Sequence, residues 1–158
     1  MNDYLLKLIQ KYKKKGLLID TNIVLLYLVG SVDIFLIRNF KRTANFDEND
    51  FEKVSKFVEY FDIKITTPHI LTEVSNLIDN RQDLQLVLKI YIEKAEEIFL
   101  ESSMLSKDQS FLTFGLADTA VINTAKDSYL ILTDDRPLYG FLINSQIDTV
   151  NLDQLRNI

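Results

Sequence analysis

The feature that most limits what this chain can fold into is a set of short apolar runs. Each ends in a polar residue, and segments of helical periodicity separate them. Leu17-Leu18-Ile19 stops at Asp20, and comparable runs span Ile63 to Thr66, Tyr129 to Thr133 and Ile147 to Val150. A run with no polar alternation is buried on both faces, as strands are in a parallel sheet covered by helices. The segments between them read as helices. Residues 23–40 are helical with a break near Gly30-Ser31, and 43–50 is a polar loop. From Phe51 the positions Val54, Phe57, Val58 and Phe61 share one helical face. Pro68 suits a first helical turn with Thr67 as N-cap, in a helix running to about Asp79. Leu84, Val87, Leu88, Tyr91, Ala95 and Ile98 form one stripe of a long helix from Asp83 to about Ser102. Residues 103–113 read as loop or short helix, and Gly115 to Lys126 and Arg136 to Asn144 as helices. The fold class expected is α/β, a three-layer α/β/α sandwich around a central parallel sheet.

A length of 158 residues fits one domain, here 1–158, with residues 1–16 as an N-terminal helical extension ending at Gly16. The N-terminal segment has its basic run after its apolar residues, which is the wrong order for a signal peptide. The longest apolar stretch, Ile23 to Gly30, is far short of the ~20 residues of a membrane span. A cytoplasmic protein with no membrane partner is therefore expected. The chain has no cysteine and one histidine, His69. That excludes disulfides, a cysteine nucleophile and the usual zinc sites. Its net charge of −5 speaks against gripping nucleic acid by bulk charge, though not against a local site.

In a doubly wound sheet, ligands bind beyond the carboxyl ends of the strands. Asp20 follows the first strand, and Asp134 and Asp135 follow the strand at 129–133. Glu73 and Asp118 lie in early turns of two helices. Ile70, Val74 and Leu77 surround Glu73 in helical spacing, and Phe114, Val121, Ile122 and Ala125 surround Asp118. Both carboxylates are thus expected to interrupt an inward stripe. Burying an unpaired carboxylate costs several kcal/mol, and few cations stand nearby in sequence. Carboxylates in excess of neighbouring bases suit a hard cation, Mg²⁺ or Mn²⁺, held by oxygen alone. Lys14 and Lys15, with Arg136, are the cations expected to touch an anionic substrate.

The strings LLIDTNIVLLYL, TTPHILTEVSNLI, LADTAVINTA and LILTDDRPL, in this order, resemble the PIN domain, a family of metal-dependent ribonucleases. The resemblance spans essentially the whole chain. It implies an acidic pocket in which Asp20, Glu73 and Asp118 match the first three acids. The fourth acid of the family follows a threonine as T-x-D, which points to Asp135 after Thr133, while the adjacent Asp134 is a second candidate. Asn22 and Thr133 match polar positions lining that pocket. The implied activity is Mg²⁺- or Mn²⁺-dependent hydrolysis of RNA, leaving 5′-phosphate and 3′-hydroxyl ends. Asp20, Asp118 and Asp135 would hold the ion directly or through water. Glu73 would hold it or orient the attacking water, and Asn22 and Thr133 would hydrogen-bond the ligands from behind. The family's toxin subgroup works beside a small antitoxin protein, and PIN domains often dimerise. An antitoxin and a homodimer are therefore the protein partners expected. This chain is longer than the compact toxin type, with Arg38, Lys41 and Arg42 in the added stretch between Asp20 and Glu73.

Three other readings compete. A strand-end aspartyl phosphatase needs a second Asp two residues after the first, where this chain has Asn22. A phospho-receiver module needs a late lysine, and none follows Lys126. A non-catalytic PIN-like binding or assembly module is the remaining alternative.

Overall fold

The computed structural model describes residues 3–157. Residues 1 and 2 of the expected N-terminal extension, and Ile158, lie outside them. Helix α1 (Asp3–Tyr12) leads through a turn at 13–15 into β1 (Leu17–Ile19). Then follow α2 (Thr21–Val32), α3 (Leu36–Asn39), α4 (Glu48–Val58), β2 (Lys64–Thr66), α5 (Pro68–Leu77), α6 (Gln82–Lys94) and β3 (Glu96–Glu97). The remainder is α7 (Ser102–Leu105), α8 (Phe111–Ala125), β4 (Leu130–Thr133), α9 (Arg136–Asn144), β5 (Thr149–Asn151) and α10 (Leu152–Arg156).

The strands form one parallel sheet in the order β3-β2-β1-β4-β5, flanked by the helices as a three-layer sandwich. The chain winds outward from β1 to β3, crosses over, and winds outward the other way through β4 to β5. The switch point is the crevice between β1 and β4, paired as Leu17↔Leu130, Leu18↔Ile131 and Ile19↔Leu132. Leu17, Leu18, Ile19, Ile65, Leu130, Ile131 and Leu132 are fully buried, as expected of strands covered on both faces. Among the described residues, no helix is long and apolar enough to cross a membrane.

Several boundaries differ from the sequence reading, each for a local reason. The break expected at Gly30-Ser31 falls at Asp33, whose backbone N–H closes the last turn of α2 on Val29. Gly30 stays helical because α4 packs against it: a Cβ there would lie 2.2 Å from Cδ2 of Phe51. The polar stretch 43–50 is not all loop. Asp47 and Asp50 form a reciprocal capping box that starts α4 at Glu48. The long helix expected to reach Ser102 ends at Lys94, because Glu96 and Glu97 pair with Ile65 and Thr66 as a sheet edge. A final helix, α10, follows β5. Arg156 on it makes a two-pronged bond to the buried carboxylate of Asp50, at 2.8 Å to each oxygen.

The α2–α4 contact generates a prediction. Gly30→Ala leaves helix propensity favourable but forces a methyl into the Phe51 ring, at a cost of about 1–3 kcal/mol for overpacking. Chemical denaturation should show that loss, and Gly30→Ala combined with Phe51→Leu should recover part of it. Unchanged stability in the single variant would show that the two helices separate freely.

Candidate active site

Beyond the carboxyl end of β1, the chain turns directly into α2, with Asp20 as the N-cap. Oδ1 of Asp20 accepts from the Thr21 backbone N–H at 2.7 Å. Its other oxygen, Oδ2, accepts from the Thr133 hydroxyl at 2.7 Å, across the β1–β4 crevice. Asp20 is only 7% exposed, and Thr133 is fully buried. At the end of β4, Asp135 N-caps α9: its side chain accepts from Leu138 N–H, and its own N–H donates to the Thr133 hydroxyl at 3.0 Å. Thr67 caps α5, as its sequence predicts, and Glu73 lies on that helix's second turn. The Thr21 hydroxyl donates to Oε2 of Glu73 at 2.8 Å.

Asp118 reaches the same place through a break in α8. Gly115 has φ +79° and ψ −175°, so regular helix restarts after it with Asp118 near its beginning. A Cβ at Gly115 would meet nothing, so the demand for glycine there is conformational rather than steric.

These elements enclose an open cavity of about 320 Å³ lined by Asp20, Thr21, Asn22, Glu73, Asn76, Leu77, Asp118 and Asp135. Four of the five carboxylates singled out from sequence are thus brought together, and no Lys or Arg lines the cavity. Asp134 turns away into an adjoining cavity, where it accepts from the Asn22 amide at 3.4 Å. Its Oδ1 is buried without a partner. Of the paired aspartates, Asp135 therefore faces the other three acids.

Glu73 is exposed at the cavity wall, so the burial cost anticipated for it does not arise. The inward positions of α5 are Ile70, Leu71, Val74 and Ile78. Asp118 is half-buried, and burial contributes there as expected.

The expected substrate cations are elsewhere. Lys14 and Lys15 precede β1, at the opposite edge of the sheet, and Lys15 lies over the Tyr12 ring. Arg136 follows Asp135 but is tied to Asp153 at 2.9–3.0 Å. Two lining residues were missed in the sequence. Thr21 is the middle residue of Asp-Thr-Asn. Asn76 sits three residues after Glu73, which puts it on the same helical face.

Burial pushes the Asp118 carboxyl up to about 7, reinforced by the charges of Asp20, Asp135 and Glu73. Burial also pushes Asp20 up to about 6, against the lowering effect of its bonds from Thr133 and Thr21, while Asp134 and Asp135 raise it further. Asp134 is raised as well, by burial and then by Asp135. These carboxylates feel one another, and the protein supplies no counter-charge inside the cavity.

The donor set is carboxylate, hydroxyl and amide oxygen, the chemistry that suits Mg²⁺ or Mn²⁺. As the side chains stand, no group of three or more His, Asp or Glu among the described residues is drawn close enough to form a ready metal cage.

No protein-family model matches the chain, and no curated protein matches it. The crowded carboxylates of the cavity give the protein a pH dependence. The raised carboxyls of Asp20 and Asp118 bind more protons folded than unfolded. Their stabilising contribution is complete below the ordinary carboxylate range, near pH 4, and is lost as pH rises through about 7. In EDTA, the melting temperature should fall between pH 5 and pH 8. Asp118→Asn should flatten that slope. An equally steep slope in the variant would show that Asp118 is not among the groups responsible.

Proposed function

We propose that this protein is a ribonuclease that hydrolyses RNA phosphodiester bonds with Mg²⁺ or Mn²⁺ held by Asp20, Asp118 and Asp135. One observation carries the proposal. Four carboxylates from four separated segments line one cavity at the switch point of the sheet, with no basic residue among them. The resemblance of those same segments to the PIN domain family supplies RNA as the substrate.

A divalent ion bound there would lower the pKa of a water and offset charge on the phosphate. The protein's own residues do the rest. Thr133 and the Thr21 N–H hold both oxygens of Asp20, so its orientation is set before any ligand arrives. Asp135 is held by one oxygen, Oδ1, through its cap to α9. Glu73 lines the open cavity and keeps one oxygen on the Thr21 hydroxyl, which leaves its other oxygen without that bond. There it can accept the proton of an attacking water. The buried floor of β1 and β4 excludes bulk water from beneath Asp20. No feature of this cavity bears on the antitoxin or the homodimer expected from the resemblance.

The test combines two readouts. Titrating Mn²⁺ should raise the melting temperature in proportion to ln(1 + [L]/Kd), and Asp118→Asn should abolish that rise. Single-stranded RNA should be cut with Mn²⁺ or Mg²⁺ and left intact in EDTA. Asp20→Asn and Asp118→Asn should each lower the rate by roughly 100-fold or more, the scale for removing one group of a preorganised electrostatic site. Cleavage that survives EDTA or Asp20→Asn overturns the proposal. A Mn²⁺-induced rise without cleavage would leave a binding module.

A further inference from the structure

A second cavity, of about 290 Å³, adjoins the acidic one and shares Asn22 and Leu77 with it. Its other lining residues are Leu25, Lys41, Arg42, Asn45, Phe46 and Asp134. It differs from the first in carrying two cations. Lys41 and Arg42 are exposed, and among the described residues no ion pair or side-chain hydrogen bond engages either one. The other four arginines are tied down: Arg38 to Asp47 and Glu48, Arg81 to Asp83, Arg136 to Asp153, and Arg156 to Asp50 and Asp153.

The segment bearing these two cations is built rather than loose. The Thr43 hydroxyl, fully buried, donates to the Ile37 carbonyl at 2.7 Å. Successive backbone bonds run Phe40 to Leu36, Thr43 to Phe40 and Phe46 to Thr43. Phe46 is buried against the core, and the Asp47–Asp50 capping box fixes the far end. Lys41 and Arg42 are therefore presented on a turn whose course is fixed before binding. Asn22, exposed, forms the shared wall between the two cavities.

We infer that the Lys41–Arg42 cavity is a docking subsite for a backbone phosphate of a single RNA strand, flanking the bond presented to the acidic cavity. This rests on the ribonuclease reading of that neighbouring cavity. The chemistry is complementary. A phosphodiester carries one negative charge, and the acidic cavity without a cation repels it. An ammonium and a guanidinium attract it one step along the strand. Arg42 can take two phosphate oxygens at once, while Lys41 acts as a point charge. A flexible single strand can run from one cavity into the next past Asn22.

The experiment compares wild type with the double variant Lys41→Ala/Arg42→Ala. The charge control is Lys89→Ala/Lys94→Ala, which removes two exposed lysines from α6. Two measurements are made on each protein: anisotropy of a labelled single-stranded RNA in EDTA at several salt concentrations, and KM and kcat for cleavage with Mn²⁺. The double variant should bind about 10-fold more weakly at low salt. Its salt slope should fall by roughly 0.7, the value for one lost phosphate contact on a single strand. KM should rise more than kcat falls, and the control should match wild type.

If wild type cleaves and the double variant is indistinguishable from it, the subsite is overturned and the ribonuclease reading stands. If wild type does not cleave but binds RNA through Lys41 and Arg42, the subsite stands and the ribonuclease reading fails. Equal weakening in the α6 control overturns the subsite in favour of bulk charge. Absence of RNA binding by wild type overturns it outright.

Discussion

The hydrogen bond from the Thr133 hydroxyl to Oδ2 of Asp20 is the interaction on which the rest of the site depends. It bridges the ends of β1 and β4, where the winding of the sheet reverses. Without it, a carboxylate only 7% exposed would lack half of its hydrogen bonding, at a cost of several kcal/mol. The same hydroxyl accepts from the Asp135 N–H, so one threonine sets two carboxylates relative to each other. On the other side, Thr21, whose backbone N–H donates to Asp20, donates its hydroxyl to Glu73. Three of the four acids are therefore linked through two threonines. Asp118 is placed independently, by the backbone turn at Gly115.

That arrangement leaves a residual conflict. Each bond to Asp20 favours its charged form, yet burial and the neighbouring carboxylates outweigh them and hold it near 6. A purely structural cap would gain nothing from this crowding, because Asn or Ser caps a helix equally well. The helix starts at Asp20 and Asp135 account for one carboxylate each as caps. They do not account for Glu73 and Asp118, which cap nothing and lie toward the same cavity. Raised carboxyls in a cleft, with a specific charged cause, are characteristic of functional sites.

Much of this was legible in the chain. The apolar run before Asp20 needed no tertiary information to be read as a strand, nor did Thr67-Pro68 as a helix start. Elements whose existence depends on a partner were not legible. Glu96-Glu97 has no strand character of its own and is a strand only because the edge of β2 offers it hydrogen bonds. Asp47 to Asp50 looked like polar loop, because an Asp at the third position makes a less familiar capping box than Glu. Helical periodicity located Asp118 and Glu73 but not the depth of either, since a residue at the edge of an apolar stripe can face a neighbour or a cavity. Asp134 and Asp135 are adjacent, and only the cap to Leu138 and the bond to Asn22 separate their directions.

Part of the acidity behind the net charge of −5 has a definite place in the structure. Some acids elsewhere are paired: Asp50 with Arg156, Asp148 with Lys11, Asp83 with Arg81, Asp153 with Arg136. Asp20, Glu73, Asp118 and Asp135 face one cavity with no basic residue on its wall. Four negative charges are thus gathered at the switch point, in addition to exposed acids such as Asp33, Glu59, Asp79 and Asp127 spread over the surface. An acidic protein of this kind need not repel a polyanion everywhere. Repulsion between exposed charges is screened within about a Debye length, ~8 Å at physiological salt, so what the strand meets is local. At one cavity it would meet carboxylates that call for a divalent ion. At the next, across Asn22, it would meet Lys41 and Arg42, two cations against the one carboxylate of Asp134. The sign of the whole chain therefore says little about its ligand, and the alternation of sign between two adjoining cavities says more.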